Sequence, residues 1–168
     1  MPTIINPADF EFRADNSAME DFGINTLFPR LGVISESKNF VFDIRQLDPG
    51  KFSFPYHFHR NAEELIMIIS GELTMRSVSG FQILTKGHLV FFEIGASSAH
   101  QFYNHSNSSC TYLDLRTTIG IDISEYPDSG KINILPSWEL YEKNTGVEYN
   151  KGEENVREIW DKLQNKNG

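Results

Sequence analysis

The sequence predicts an all-β protein, a barrel or sandwich of short strands, and three observations carry that expectation. Between Asn39 and Thr117, short runs rich in Phe, Ile, Val, Leu and Tyr recur at the spacing of about 8–12 residues typical of such folds. The breaks between them have turn chemistry: Asp48-Pro49-Gly50, Ser70-Gly71, Ser79-Gly80, Lys86-Gly87, Gly95-Ala96-Ser97-Ser98 and the polar loop His105–Ser109. No helical period interrupts the stretch.

Eight strands are expected in order: Phe40–Leu47, Phe54–His59, Glu64–Ile69, Glu72–Val78, Phe81–Leu84, His88–Phe92, Ala99–Asn104 and Cys110–Thr117. They place a barrel over residues 38–120. Before it lies an arm, residues 1–37, with Pro2, Pro7 and Pro29 and aromatics at Phe10, Phe12, Phe22 and Phe28 but no clean period. Such an arm packs on the barrel or on a partner subunit. After it, residues 121–168 form an extension: a turn at Tyr126-Pro127-Asp128-Ser129-Gly130, a pair of short strands at Ile132–Leu135 and Trp138–Tyr141, and a short helix. In that helix Val156, Ile159, Trp160 and Leu163 stand at i, i+3, i+4 and i+7, an apolar stripe expected to dock on the barrel.

At 168 residues the chain fits one ordinary domain, which buries roughly 70% of its unfolded surface without a covalent staple. The single cysteine, Cys110, excludes an intramolecular disulfide and reads as a small buried strand residue. The N-terminus has neither a basic opening nor an apolar stretch long enough for export, and the longest apolar run, Leu65–Ile69, is far too short to cross a bilayer, so a cytoplasmic location is expected. A formal net charge of −8 excludes the basic surface that binds nucleic acid.

Chemistry concentrates in PYHFHRNAEELIMIISGEL, residues 55–73. His57 and His59, two apart on a strand, share a face, with Phe58 on the other. Glu64 opens the next strand, where it shares a face with Ile66, Ile68 and Ser70. Of the remaining histidines, His88 at a turn and His105 in a polar loop are explained by exposure, while His100 enters a strand on the face of Phe102 and Asn104.

From Gly50 to Asn104 the spacing resembles the two motifs of the cupin superfamily, G-x5-H-x-H-x3,4-E-x6-G and G-x5-P-x-G-x2-H-x3-N. The first reads GKFSFPYHFHRNAEELIMIISG, giving Gly50, His57, His59, Glu64 and Gly71, with one extra residue before His57. Glu63 also lies at an allowed distance, but only Glu64 keeps the six-residue interval to Gly71. The second reads GHLVFFEIGASSAHQFYN, with Gly87, Glu93 where the family has proline, Gly95, His100 two residues later than the pattern, and Asn104 in register. The tail ISEYPDSGK, Ile123–Lys131, also resembles uncharacterised bacterial cupins, some labelled sugar-phosphate isomerases.

This resemblance implies a double-stranded β-helix, a jelly-roll-like barrel, in which His57, His59, Glu64 and His100 hold one divalent metal ion. Three imidazoles and a carboxylate suit Zn, Fe, Ni, Mn or Cu, and a six-coordinate ion keeps two positions for water or substrate. Imidazole must be unprotonated to bind, so loss of metal is expected below about pH 5–6. Ile66, Ile68 and Phe102 are expected to line the cavity. Tyr56, Arg45, Arg60, Arg116 and Lys131 are the candidate substrate contacts, with solvent exposure the favoured state for Arg45 and Arg116.

The function expected is that of a metal-dependent enzyme acting on a small oxygenated metabolite, a sugar or sugar-phosphate isomerase, with a metal-dependent oxygenase or a non-catalytic small-molecule sensor as alternatives. A phosphate-bearing substrate requires at least one of Arg45, Arg60, Arg116 and Lys131 to face inward. Apolar Leu65, Met67 and Ile69, with the aromatic arm, point to a homodimer.

Overall fold

A computed structural model describes residues 1–15 and 19–165; residues 16–18 of the expected arm and 166–168 of the expected extension lie outside the described residues. The order of elements is β1 (Glu11–Ala14), β2 (Ile24–Phe28), α1 (Leu31–Ile34), β3 (Phe40–Leu47), β4 (Phe58–His59), β5 (Glu64–Ser70), β6 (Glu72–Ser77), β7 (Gly80–Thr85), β8 (Leu89–Phe92), β9 (His100–Tyr103), β10 (Cys110–Thr117), β11 (Asp122–Tyr126), β12 (Lys131–Leu135), β13 (Glu139–Glu142) and α2 (Val156–Asn165). Three antiparallel sheets form, of order β1-β2-β3-β10-β5-β8, β13-β12-β11-β4 and β7-β6-β9. The fold is the all-β architecture expected.

β10 is the spine of the large sheet. It pairs with β3 from Cys110↔Leu47 to Thr117↔Phe40 and with β5 from Thr111↔Ser70 to Arg116↔Glu64. One end of the interior is a closed apolar core of Leu47, Ile66, Ile68, Leu73, Leu84, Phe92, Phe102 and Tyr112. Ile66, Ile68 and Phe102 belong to this core and are not among the residues that line the cavity at the other end, contrary to expectation. Two residues further along each strand the inward positions become charged: Asp43 and Arg45 on β3, Glu64 on β5, Asp114 on β10.

Three elements depart from expectation. The strand expected over Phe54–His59 is regular only at Phe58–His59. Pro55 has no N–H to donate, so this segment is held by separate contacts instead of a continuous ladder. Ser53 N donates to Phe102 O, and His57 and His100 exchange both backbone hydrogen bonds (3.1 and 2.8 Å). A 3-10 turn at Ala96–Ser98 interrupts the stretch expected to hold nothing helical. The arm does pack on the barrel, but as strands: β2 extends the large sheet through Ile24↔Leu47, Asn25↔Gln46 and Thr26↔Arg45, and β1 pairs with β2.

The closing helix does not make the docking expected of it. Val156, Ile159, Trp160 and Leu163 are each more than half exposed, and α2 buries no residue. Gly71 shows why a glycine stands between β5 and β6: its φ is +76°, and a Cβ there would meet Ser109 O at 2.8 Å and Cys110 Cα at 2.9 Å. No helix among the described residues is long and apolar enough to cross a membrane.

Candidate metal centre

His57, His59 and Glu64 are buried and offer one ligand atom each, all within 4.8 Å of one another. His100 joins them from β9: its Nε2 lies 3.3 Å from Glu64 Oε2, against 3.7 Å for His59 Nε2, and its ring is centred 4.8 Å from that of His57. The sheet positions all four. His59 and Glu64 flank the turn between β4 and β5, while the His57–His100 bridge joins the segment before β4 to β9. Glu63 points outward and is exposed, as are His88 and His105.

The other ring nitrogens orient the imidazoles. His57 Nδ1 donates to Pro55 O at 2.8 Å and His100 Nδ1 to Ser98 O at 2.9 Å, each a carbonyl two residues upstream. The residues inserted between Gly95 and His100 thus build the 3-10 turn whose carbonyl aims the ring. His59 Nδ1 lies 2.5 Å from Asp122 Oδ2 on β11 and 3.2 Å from Ser124 Oγ. Carbonyl oxygens only accept, so the Nδ1 atoms of His57 and His100 carry their protons and the neutral rings present bare Nε2 atoms. Asp122 serves His59 in the same way, the outer carboxylate that commonly supports a metal-binding histidine. Its hold on His59 keeps the Asp122 carboxyl below its ordinary value, although burial alone would raise it.

Glu64 Oε2 is buried without a hydrogen-bond partner. An ionised oxygen facing bare imidazole nitrogens is a costly arrangement unless a cation sits among them. The donor set therefore fits a divalent ion, with nitrogen and carboxylate ligands of the kind such ions take.

The ionisation pattern agrees. Burial, helped by the charge of His100, pushes His57 down to about 3. Burial pushes Glu64 up, but His100, His57 and His59 outweigh it and hold the carboxyl below its usual range. Burial likewise opposes protonation of His100, yet Glu64 wins and raises it. Protonation of His100, eased by Glu64 beside it, therefore competes with a divalent ion for the cluster. Affinity for Zn²⁺ or Mn²⁺ is expected to fall about tenfold per pH unit once pH drops below the His100 value, itself above the ordinary imidazole value of about 6.5. Competition titrations between pH 8 and 5 measure this; a flat profile contradicts it.

The cluster lies on the wall of a cavity of about 320 Å3. Three guanidiniums (Arg30, Arg45, Arg116) and four carboxylates (Asp15, Glu64, Asp114, Asp122) line it, with Ser124, Tyr126, Asn133, Leu135 and Trp138 closing one side. Arg45 and Arg116 thus point inward, not to solvent. Arg45 is buried and fully engaged, with Asp114 at 2.5 Å, Thr26 at 3.0 Å, Asp15 at 3.2 Å and Asp43 at 3.8 Å. Arg30 is committed to Asp43 through two nitrogens. Arg116 stands directly opposite Glu64 across the β10–β5 ladder, and its one ion pair among the described residues is to Asp122 at 3.4 Å.

The other expected contacts lie outside the cavity. Arg60 pairs with Glu125, Tyr56 stacks beneath Arg76 (3.9 Å to the ring centroid), and Lys131 sits over the Tyr126 ring at 4.9 Å. The sequence reading missed Arg30, Asp15, Asp114, Asp122, Ser124 and Asn133. Only Asp114 carried a usable signal, standing at i+4 from Cys110 and i+2 from Tyr112 and so on their face of an expected strand.

No curated protein matches the chain. Residues 44–116 match the Cupin_2 family, described as a cupin domain. Solved structures share the fold. A cupin-superfamily sugar phosphate isomerase from Silicibacter pomeroyi superposes with a TM-score of 0.75 at 22% identity, covering 88% of this chain and 98% of its own. A candidate sugar phosphate isomerase from Acidithiobacillus ferrooxidans gives 0.66 at 23% identity, covering 74% and 80%. The polyketide cyclase RemF from Streptomyces resistomycificus gives 0.54 at 17% identity, covering 70% and 80%. Residues 44–116 thus match a cupin domain, and the barrel that contains them has the fold of these solved structures.

Proposed function

We propose that this protein is a metal-dependent enzyme acting on a small, anionic, oxygenated metabolite, and that the reaction the site suits best is isomerisation of a sugar or sugar phosphate. The carrying observation is the unpartnered Glu64 oxygen amid three imidazoles, with the guanidinium of Arg116 across the ladder. His57, His59, Glu64 and His100 would hold the ion, which when bound supplies a Lewis acid for a substrate carbonyl or hydroxyl. The two structures of highest overlap above carry sugar phosphate isomerase names, in line with this reading.

The chain's own residues supply binding and proton transfer. A divalent charge would turn the excess of carboxylate over guanidinium into an excess of positive charge, which favours an anion. Arg116, lightly engaged, binds that anion; Arg45 and Arg30 are spent on aspartates. Moving a proton between adjacent carbons needs a base that also returns it. Glu64 and Asp122 are held below their ordinary values, whereas burial pushes Asp114 up to about 6 against the pull of Arg45. Asp114 lines the cavity and takes this role.

The test is elemental analysis of protein purified without chelator, followed by proton NMR of aldose and ketose phosphates in D2O. Exchange at the carbon beside the carbonyl is expected, and Asp114→Asn is expected to slow it by about 10²–10⁴-fold with metal content unchanged. Oxygen consumption by an iron-loaded protein without such exchange would sink the isomerase reading.

A second copy of the chain belongs to the proposal. The outer face of the large sheet carries two apolar rows in register across four strands, Ile44–Leu113–Met67–Leu89 and Phe42–Leu115–Leu65–Phe91. Leu89 and Phe91 remain more than half exposed. A patch of this size and character fits a two-fold contact. Sedimentation at micromolar concentration is expected to give a dimer, and monomer alone would reject it.

A further inference from the structure

Among the described residues three buried side-chain polar atoms have no hydrogen-bond partner: Glu64 Oε2, the Tyr112 hydroxyl and Asn133 Oδ1. The first is accounted for by a metal ion, and Tyr112 belongs to the closed core. Asn133 is different. It is 2% exposed, lies on β12 outside the matched cupin segment, and lines the cavity.

Its place is set by the sheet. His59, Ser124 and Asn133 form one row across β4, β11 and β12, through His59↔Ser124 and Ser124↔Asn133. Asn133 therefore stands two strand spacings, roughly 10 Å of backbone, from a candidate metal ligand. Tyr126, on the same cavity-facing side of β11, is pushed above its ordinary value by burial, with its hydrogen bond to Asn133 and the charge of Arg116 opposing. Asn133 thus stands beside Tyr126 on the cavity wall while its carbonyl oxygen lacks a donor. A buried acceptor left without a donor carries its full desolvation cost, and a ligand that supplies the donor recovers it.

We infer that Asn133 Oδ1 is a hydroxyl-binding subsite, and that the substrate is a polyhydroxylated carboxylate or phosphate whose distant hydroxyl donates to it while Arg116 takes the anion; this rests on the small-metabolite reading above. The row geometry puts that hydroxyl several bonds from the end nearest His59, so a two-carbon or three-carbon acid is too short. Specificity for a polyol is then set by the C-terminal hairpin, not by the cupin motifs. A site that leaves a buried polar atom unpaired discriminates strongly against an analogue lacking the matching group.

The experiment is calorimetric titration of the full chain, metal-loaded and metal-stripped, with two pairs of probes: D-gluconate against hexanoate, and D-ribose 5-phosphate against butyl phosphate. The ratio of affinities within a pair measures hydroxyl recognition, and the pair that shows it names the anion. In Asn133→Leu that ratio is expected to fall about tenfold, the worth of one buried hydrogen bond with its partner left unpaired. Asn133→Ser, which introduces no added bulk, serves if the leucine variant does not fold. Ratios in the variant within twofold of wild type, or no wild-type preference in either pair, would overturn the inference. Metal content, measured on the same samples, separates the two readings: Asn133 is not a ligand, so its effect on the ratio is expected with and without the ion.

Discussion

Glu64→Gln is expected to abolish metal retention while leaving the metal-free protein at least as stable as wild type. Loss of an outer hydrogen-bond partner of a metal ligand already costs about 10–100-fold in affinity, and loss of a ligand exceeds that. The stability outcome is the sharper half. A structural buried carboxylate has donors, and its removal strands them at a cost of about 3–5 kcal/mol. Glu64 Oε2 has none, and faces imidazoles whose Nδ1 protons are spent on Pro55 O, Ser98 O and Asp122. A glutamine amide removes the buried charge and offers N–H to a bare Nε2. Metal analysis and urea denaturation of the stripped protein measure the two parts; a large loss of stability with metal retained would show that Glu64 serves the fold and not an ion.

Arg45→Met is expected to produce the largest loss of stability of any single change at the cavity, about 3–5 kcal/mol near neutral pH. Arg45 is the hub of a buried network: Nε contacts Asp114 Oδ2, Nη1 reaches Asp15 and Thr26, and Nη2 approaches Asp43. Asp43 keeps Arg30 and the Leu31 N–H when the hub is gone, but Asp114 loses its guanidinium partner. The pH dependence follows from Asp114. Its folded value, about 6, lies above the ordinary carboxyl value, so between about pH 4 and 6 the native state binds the proton more tightly than the unfolded chain. Stability from this group is greatest at the acid end and falls as pH rises through about 6. Without Arg45 the folded value climbs further, so the variant regains stability on acidification into the same window. Asp114→Leu in the Arg45→Met background is expected to recover most of the loss, since a buried ion pair replaced by packed apolar groups is commonly neutral. Denaturation at pH 5.5 and 8 checks both; an equal deficit at the two values would refute the account.

These inward charges are also where a sequence reading goes astray. On β3 and β10 the usual alternation is inverted. Phe42, Ile44, Leu113 and Leu115 face outward and half-buried, while Asp43, Arg45, Asp114 and Arg116 face in. A period of two says only that these sets lie on opposite faces, and an ordinary soluble sheet would put the charges outside. The interior can hold them because they pair there, Asp43 and Asp114 with guanidiniums and Arg116 with Asp122. Asp122, Ser124 and Asn133 were illegible for another reason. They reach the cavity through the β4–β11–β12 sheet, a pairing of segments some sixty residues apart that no local pattern announces.

The amino-acid sequence by itself determined the bounds of β3 and β10 to the residue, the all-β class, and the chain positions of two histidines, a glutamate and a third histidine in spacings like those of the cupin motifs. Such features are local: strand propensity, turn residues and two-residue alternation are written in neighbouring letters. Only the tertiary structure decided that His100 meets the pair through the His57 bridge, that Arg45 is spent on aspartates while Arg116 is not, and that a buried asparagine from the C-terminal hairpin closes the cavity. Each depends on which distant strands hydrogen-bond and which way their faces turn, and that is settled by burying the whole chain at once.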